Sequence, residues 1–124
     1  MKPFDLATVL PILERTPKVL QTWLANLPET WTHSNEGGES WSPFDIVGHF
    51  IHGEKTDWIP RANIILSDAE DRTLEPFDRF AQFEASNGKS MNDLLNEFAA
   101  LRAANLDALR ALDLSEANIP TLVP

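Results

Sequence analysis

Residues 41–61, WSPFDIVGHFIHGEKTDWIPR, decide the fold because they contain the start, the length and the break of one long helix. Ser42 precedes a proline and Asp45 stands three positions later, the pattern of a capped helix with proline in its first turn. Apolar residues at three- and four-residue spacings then predict a helix over residues 44–66. Pro60 lies inside this span and has no backbone N–H to donate, so we expect a kink near Thr56, the alternative being a helix that ends and restarts there.

Two further stretches have the same helical periodicity. Residues 5–27 predict a helix that is broken or restarted at Thr16, which stands before a proline and can cap a second half. Residues 90–112 begin with a second capping pair and predict a third long helix. Phenylalanines recur every three residues over 77–83 and predict a short helical turn. The sequence therefore predicts an all-α domain of three long helices and one short helix.

Length and composition indicate one domain and exclude several function classes. The 124 residues suffice for one hydrophobic core, which we assign to residues 1–112. Residues 113–124 contain two prolines and no helical pattern, so they predict an irregular C-terminal tail. The formal charge of −9 has the wrong sign for binding nucleic acid phosphates. Because there is no cysteine, disulfides, a cysteine nucleophile and cysteine-ligated zinc are excluded.

The sequence also predicts that the protein neither enters a membrane nor is exported. No apolar run approaches the roughly 20 residues that span a bilayer. The first five residues, MKPFD, carry a proline and an acid where a signal peptide has its apolar stretch. We therefore expect a cytoplasmic protein.

Three charged residues lie at or beside the apolar side of the predicted helix over 44–66. At about 100° per residue, Glu54 and Arg61 fall inside the apolar arc and Asp57 lies beside them. Asp57 and Arg61 are four positions apart and can pair. One interpretation is a structural ion network, because a buried charge needs a partner. A second is general-base catalysis by Glu54 or Asp57, and a third is a solvated face.

His49 and His52 are three positions apart on the same predicted helix, close enough to approach one ion, although a metal site needs a further ligand. The alternative is a structural role, with each ring hydrogen-bonded beside an apolar face. The third histidine, His33, lies in a glycine-containing loop. The four tryptophans predict core or helix-end packing, or the wall of an apolar pocket. Asn105 predicts a buried polar contact in the last helix.

Residues 31–61 contain the pattern Trp-Ser-Pro-Phe followed by Gly-His-x-x-His-Gly-Glu, which resembles the DinB-like superfamily of bacterial metal-binding four-helix bundles. Residues 77–80 and 94–112 are similar to the same family. The resemblance implies an up-down helical bundle. It also implies a divalent metal, zinc or nickel, held by one histidine of the second helix and a His-x-x-x-His pair of the fourth. His49 matches the first ligand, and His52 matches none.

The resemblance implies a chemistry as well. Family members of known activity are thiol-dependent transferases or isomerases that use small thiols such as bacillithiol or mycothiol. On this reading, the pocket around a metal on His49 would include His52, Glu54, Asp57 and Arg61. Glu54 or Asp57 would then tune a bound water or thiol.

The sequence departs from the family pattern after Leu112, where the fourth helix and its His-x-x-x-His pair are missing. We therefore expect weak or no metal binding by an isolated chain. Helices that evolved to face a fourth partner would expose an apolar groove, so we expect a homodimer or a partner chain to cover it. The alternative is that the tail, residues 119–123, folds back over part of the groove. Two functions stay open. One is a metal-dependent enzyme completed by a partner, and the alternative is a truncated family remnant that serves as a non-enzymatic self-association or protein-interaction domain.

Overall fold

The computed structural model describes residues 5–67, 73–74 and 76–112. Within these ranges the chain is helical and contains no strand, which confirms the all-α prediction. The irregular tail predicted for residues 113–124 lies outside the described residues. In the described part, no helix is both long enough and apolar enough to cross a membrane. The helices are α1 (Leu6–Leu24), α2 (Glu29–Thr32), α3 (Pro43–Thr56), α4 (Trp58–Leu66), α5 (Ala81–Ser86) and α6 (Met91–Ala111).

Capping boxes start α3 and α6 where the sequence predicts them. The Ser42 hydroxyl accepts a hydrogen bond from the backbone N–H of Asp45 at 3.1 Å, and the Asp45 carboxylate accepts one from the N–H of Ser42 at 3.0 Å. Ser90 and Asp93 form the same pair of bonds at 3.0 and 2.9 Å. Each box satisfies two N–H groups that a helix start otherwise leaves without partners.

The predicted break before Pro60 occurs at Asp57. The helix ends and restarts there instead of kinking, because Asp57 alone separates α3 from α4 and has φ −100° and ψ −86°. Pro60 consequently stands in the first turn of α4, where a missing N–H leaves no helical bond unmade. The proline therefore removes no hydrogen bond from the interior of a helix.

The break predicted at Thr16 is wrong, because α1 runs unbroken from Leu6 to Leu24. Thr16 does not cap a second helix, and its hydroxyl donates to the Ile12 carbonyl at 3.1 Å instead. Pro17 has no N–H for the Leu13 carbonyl, and Arg102 of α6 donates to that carbonyl at 2.9 Å. A contact from a distant helix therefore replaces the bond that the proline removes.

Two asparagines join the C-terminal end of α1 to the start of α6. The chain leaves α1 three residues before the predicted end at residue 27, and Asn26 adopts the left-handed conformation with φ 63°. Its N–H donates to Asn92 Oδ1 at 3.1 Å, and Asn92 Nδ2 donates to Asn26 Oδ1 at 3.0 Å. This side-chain pair determines where α1 stops.

The short helix predicted over 77–83 begins later, at Ala81. Asp78 accepts hydrogen bonds from the N–H groups of Phe80 and Ala81 at 3.0 and 3.2 Å, which makes a turn of the residues before α5. Phe83 alone of the three phenylalanines lies inside the helix. The spacing of three thus marks a turn followed by a helix.

Helix α6 is the central one of the three long helices. Helix α6 packs along both α1 and α3, whereas α1 and α3 make little or no contact with each other. Helix α5 packs on the other side of α3. No described helix other than α6 packs extensively against both α1 and α3, and we call the position between those two helices the open corner. The core lies where α6 meets its two neighbours and contains Leu24, Val47, Ile51, Met91, Leu94, Leu95 and Phe98.

Two glycines of α3 provide a matched test of this packing. A Cβ at Gly48 would lie 2.7 Å from Ser86 Oγ of α5, whereas a Cβ at Gly53 would meet no atom within 4 Å. Alanine is favoured over glycine inside a helix by about 1 kcal/mol. We expect Gly53→Ala to raise the free energy of unfolding by up to about that amount. Gly48→Ala should lower it, because Ser86 must shift.

The measurement is urea denaturation of each variant. The double variant Gly48→Ala/Ser86→Ala removes the crowding oxygen and should recover the stability that Gly48→Ala alone loses, measured against Ser86→Ala. Equal gains from Gly48→Ala and Gly53→Ala would contradict the close approach of α3 and α5.

Candidate functional site

A cleft of ≈ 490 Å³ opens beside the junction of α3 and α4. We call it the His49 cleft. Helix α3 contributes His49 and Phe50, α4 contributes Trp58, and α6 contributes Arg102. Phe77, from the segment before α5, lines it as well. The cleft therefore combines aromatic walls with a charged side chain from the central helix.

His49 lies half-buried among aromatic rings. Its ring centroid is 5.2 Å from that of Trp41 and 5.3 Å from that of Phe77, which meets it edge-on. Phe50 stands 6.1 Å away. The Nδ1 atom of His49 is buried and has no hydrogen-bond partner among the described residues. The structure thus surrounds the predicted metal ligand with rings and leaves one of its nitrogens unsatisfied.

The other two histidines make different contacts. His52 is half-buried and its ring lies 4.8 Å from that of Phe77, so both helix histidines touch the same phenylalanine. His33 is exposed and stacks on Phe44 at 4.2 Å. Its Nδ1 also lies 2.8 Å from the Thr32 hydroxyl.

The donor set around His49 does not by itself fit a resident metal. Among residues 5–67, 73–74 and 76–112, no three histidine, aspartate or glutamate side chains come close enough together to hold an ion. A catalytic zinc uses three protein ligands and a structural zinc four. A ligating histidine also usually donates its second ring N–H to a carboxylate or carbonyl, and His49 Nδ1 has no such acceptor. One donor of the expected set is present.

Glu54 lies in a buried polar network beneath the His49 cleft. Its side chain is 1% exposed and accepts hydrogen bonds from the Trp58 indole N–H and from Arg102 Nε. Asn105 Nδ2 donates to the Glu54 carbonyl at 2.7 Å and to Oε2 at 3.2 Å, which is the buried polar contact predicted for Asn105. Arg102 also donates to the Leu13 carbonyl of α1. The network joins α1, α3, α4 and α6.

Asp57 and Arg61 form the ion pair that their spacing predicts. Arg61 Nε lies 2.5 Å from Asp57 Oδ1, and both side chains are partly exposed at the cleft. Because each carboxylate of the cleft has a guanidinium partner, the lining charges of Glu54, Asp57, Arg61 and Arg102 cancel. Of the four predicted pocket residues, Glu54, Asp57 and Arg61 line this cleft. His52 does not line it.

Sequence reasoning missed Arg102 and the aromatic walls. Arg102 lies in the apolar stripe of α6, four residues after Phe98 and three before Asn105, so the reasoning that singled out Glu54 would also have found it. Trp41 and Phe77 lie outside the helices, where no periodicity indicates a position. Two of the four tryptophans, Trp23 and Trp31, are not core residues, because they are 71% and 72% exposed.

The Glu54–Arg102 pair predicts a large mutational effect. Arg102→Met would leave a carboxylate buried without its cation and the Leu13 carbonyl without a donor. We expect it to lower the free energy of unfolding by about 3–5 kcal/mol in urea denaturation. The Asp57–Arg61 pair is partly exposed and provides the control. Arg61→Met should lower the free energy of unfolding by about 1 kcal/mol or less.

A double-mutant cycle checks that the loss comes from the pair. Glu54→Gln combined with Arg102→Met should cost less than the sum of the two single substitutions, because the uncompensated charge is gone. Additive losses would contradict a coupled buried pair.

The chain matches a known protein family over most of its length. A family model described as the DinB superfamily matches residues 12–122, which is most of the chain. The matched span includes most of α1 and every later described helix, with both the His49 cleft and the Glu54 network. No curated protein matches the chain.

Proposed function

This chain belongs to the DinB superfamily, and on that premise we propose that it is a helical association domain whose open corner is filled by a second copy of the chain. The observation that carries the proposal is the packing of α6 along α1 and α3 while those two stay apart. A four-helix bundle places each helix between two neighbours. Among the described helices, none occupies the position between α1 and α3.

Helix α1 carries a second apolar seam. Its first seam packs on α6 and contains Leu10, Leu13, Pro17, Leu20 and Leu24, of which Leu24 is in the core. The residues that immediately precede these five form a second stripe, about 100° around the helix from the first seam. They have the same three- and four-residue spacing. Ile12, Val19 and Trp23 of this stripe are 61%, 58% and 71% exposed. The stripe also includes Val9 and Thr16, which are half-buried. Such spacing is typical of a helix that packs against another helix.

The second seam is on the side of α1 that faces the open corner. Glu14 lies on the other side of the first seam of α1 from this stripe, and it pairs with Arg110 of α6. Arg110 lies about 140° around α6 from Glu97, and Glu97 pairs with Lys55 of α3 at 2.8 Å. The Glu14 side of α1 therefore points away from α3, and the exposed stripe points toward it.

Helix α3 borders the same corner with exposed apolar side chains. Ile46 and Phe50 are 40% and 37% exposed. The Phe50 ring lies 5.9 Å from that of Phe98 on α6, which places Phe50 at the edge of the corner. Phe50 also lines the His49 cleft. A helix seated in the corner would therefore border the mouth of that cleft.

Charge favours a second copy approaching through α1. The chain carries −9 in total, whereas Glu14, Arg15 and Lys18 give the span of α1 a net charge of +1. A contact through α1 therefore avoids bringing the acidic parts of the two copies together. The stripe from residue 9 to 23 is about 21 Å long. Two antiparallel α1 helices would each fill the partner's corner in one self-complementary interface.

Trp23 supplies the test of this interface. We expect Trp23→Ala to raise the dimer dissociation constant at least about tenfold, because a large exposed aromatic residue is a typical energetic centre of an interface. Analytical ultracentrifugation over a range of concentrations measures it. Phe80→Ala is the matched control, since Phe80 is 67% exposed and lies before α5, away from α1.

Two results would contradict the proposal. One is a wild-type chain that stays monomeric at high concentration by light scattering. The other is an equal effect of Trp23→Ala and Phe80→Ala, which would indicate general surface stickiness.

We propose metal-dependent chemistry as a second candidate, favoured by the position of His49 in a cleft that adjoins the open corner through Phe50. A second copy seated there would supply the further donors that zinc or nickel requires. Asp57 and Arg61 line the same cleft, whereas Glu54 is engaged by Arg102. Thiol-dependent transfer, which the family resemblance implies, belongs to this candidate, together with a cytoplasmic location, where small thiols stay reduced.

Metal titration tests the second candidate separately. We expect tag-free protein to bind zinc or nickel in calorimetry and His49→Ala to lose at least about tenfold in affinity. His33→Ala should bind as the wild type does, because His33 is exposed and stacks on Phe44 outside the cleft. No binding by the wild type, or equal losses in both variants, would leave the association domain as the function.

A further inference from the structure

A tight turn over residues 86–89 connects α5 to α6. The Lys89 N–H donates to the Ser86 carbonyl at 3.1 Å and closes the turn. Asn87 has φ −59° and ψ 128°, and Gly88 has φ 82°. These angles are those of a type II β-turn, whose third residue needs the left-handed conformation that glycine adopts without strain. The turn therefore explains Gly88, but it does not require an asparagine at position 87.

The Asn87 side chain and the Gly88 N–H are both open to solvent. Both residues are exposed. In the described part of the chain, neither the Asn87 amide group nor the Gly88 N–H has a hydrogen-bond partner. Gly88 also has no Cβ that would shield its nitrogen. A side-chain amide carbon and the main-chain nitrogen of the next residue are therefore unprotected at the same place.

The other asparagines of the described ranges are protected in one of two ways. In the first group, hydrogen bonds hold the side-chain amide. In the second group, the asparagine lies inside a helix, where the N–H of the next residue donates to a carbonyl one turn earlier. The first group contains Asn26, Asn35, Asn92 and Asn105, and the second contains Asn63 and Asn96.

We propose that Asn87 is a site of spontaneous deamidation in which the main chain is the nucleophile. The Gly88 nitrogen loses its proton to hydroxide and attacks Cγ of Asn87. A bond between this nitrogen and Cγ forms, and the bond between Cγ and Nδ2 breaks. The leaving nitrogen takes a proton from water and departs as ammonia, which leaves a succinimide ring.

Water then opens the ring at one of its two carbonyl carbons. Cleavage of the bond between the nitrogen and Cγ gives aspartate, and cleavage of the bond between the nitrogen and the main-chain carbonyl carbon gives isoaspartate. The nitrogen regains a proton in both cases. Both products carry a carboxylate where Asn87 was neutral, so the modified chain is one unit more negative than −9.

The turn must open before the attack. At ψ 128° the Gly88 nitrogen is turned away from the Asn87 side chain. The bond between Lys89 and Ser86 is the constraint, and it lies in an exposed connection. Local opening costs least where few buried contacts hold the backbone. The reactive conformation is therefore reached without unfolding α5 or α6.

Isoaspartate would alter the packing of α5. It leads the main chain through Cβ and adds one carbon inside the turn that Lys89 and Ser86 close. Ser86 is also the residue that α3 approaches at Gly48. The modification therefore changes the connection that positions α5 against α3.

Mass spectrometry of the incubated protein tests the proposal. The full folded chain is held at neutral or mildly alkaline pH and then digested at mildly acidic pH. We expect Asn87 to deamidate at least about tenfold faster than any other described asparagine, because those need a helix or a side-chain bond to open first. The rate should rise with pH, since the deprotonated nitrogen attacks. Fragmentation should identify isoaspartate at position 87.

Two matched variants complete the test. Asn87→Gln keeps an exposed amide but would need a larger ring, so the more acidic form seen by isoelectric focusing should not appear. Asn35→Gln is the control, because Asn35 is also exposed in a loop, but its Oδ1 accepts the Gly37 N–H at 2.8 Å. This variant should form the acidic species at the wild-type rate.

Three results would overturn the proposal. The first is a deamidation rate at Asn87 no higher than that at Asn35 in the folded chain. The second is an acidic form that appears equally fast in Asn87→Gln. The third is aspartate without isoaspartate at position 87, which would indicate direct hydrolysis of the side chain by water.

Discussion

The contact between Glu54 and Arg102 is the interaction on which the arrangement of the helices depends. Glu54 stands in the last turns of α3 with its side chain 1% exposed, and such a carboxylate requires a cation at hydrogen-bond distance. Arg102 meets this requirement from the middle of α6 and donates to Leu13 of α1 with the same guanidinium. One side chain thus sets the register of α6 against two neighbours.

The same network explains where the candidate site lies. The chain breaks at Asp57, and the next residue, Trp58, donates its indole N–H to the Glu54 carboxylate. The His49 cleft lies above these groups and takes its rings from three separate segments. Because the charged groups beneath it are already paired, the cleft presents aromatic surface and one histidine. This character suits a site completed by a second chain better than a self-sufficient metal centre.

Local signals in the sequence predicted the helix starts. The features that the sequence did not predict depend on contacts between residues far apart in the chain. Ser42 and Ser90 were found because a capping box involves residues three positions apart. The continuity of α1 through Pro17 was missed, because the Leu13 carbonyl receives its hydrogen bond from a residue 89 positions away. Glu54 was recognised as needing a partner, but that partner lies 48 positions along the chain.

The sequence by itself determined the helical class, the starts of α3 and α6, the break before Pro60, the membership of the family and His49 as the residue of interest. Each of these depends on spacing or on a local motif. Only the tertiary structure decided that the His49 ring lies between those of Trp41 and Phe77, and that the buried Gln82 oxygen has no donor among the described residues. The reason is physical: burial and hydrogen-bond satisfaction are properties of side chains from different helices, and no periodicity in one helix specifies them.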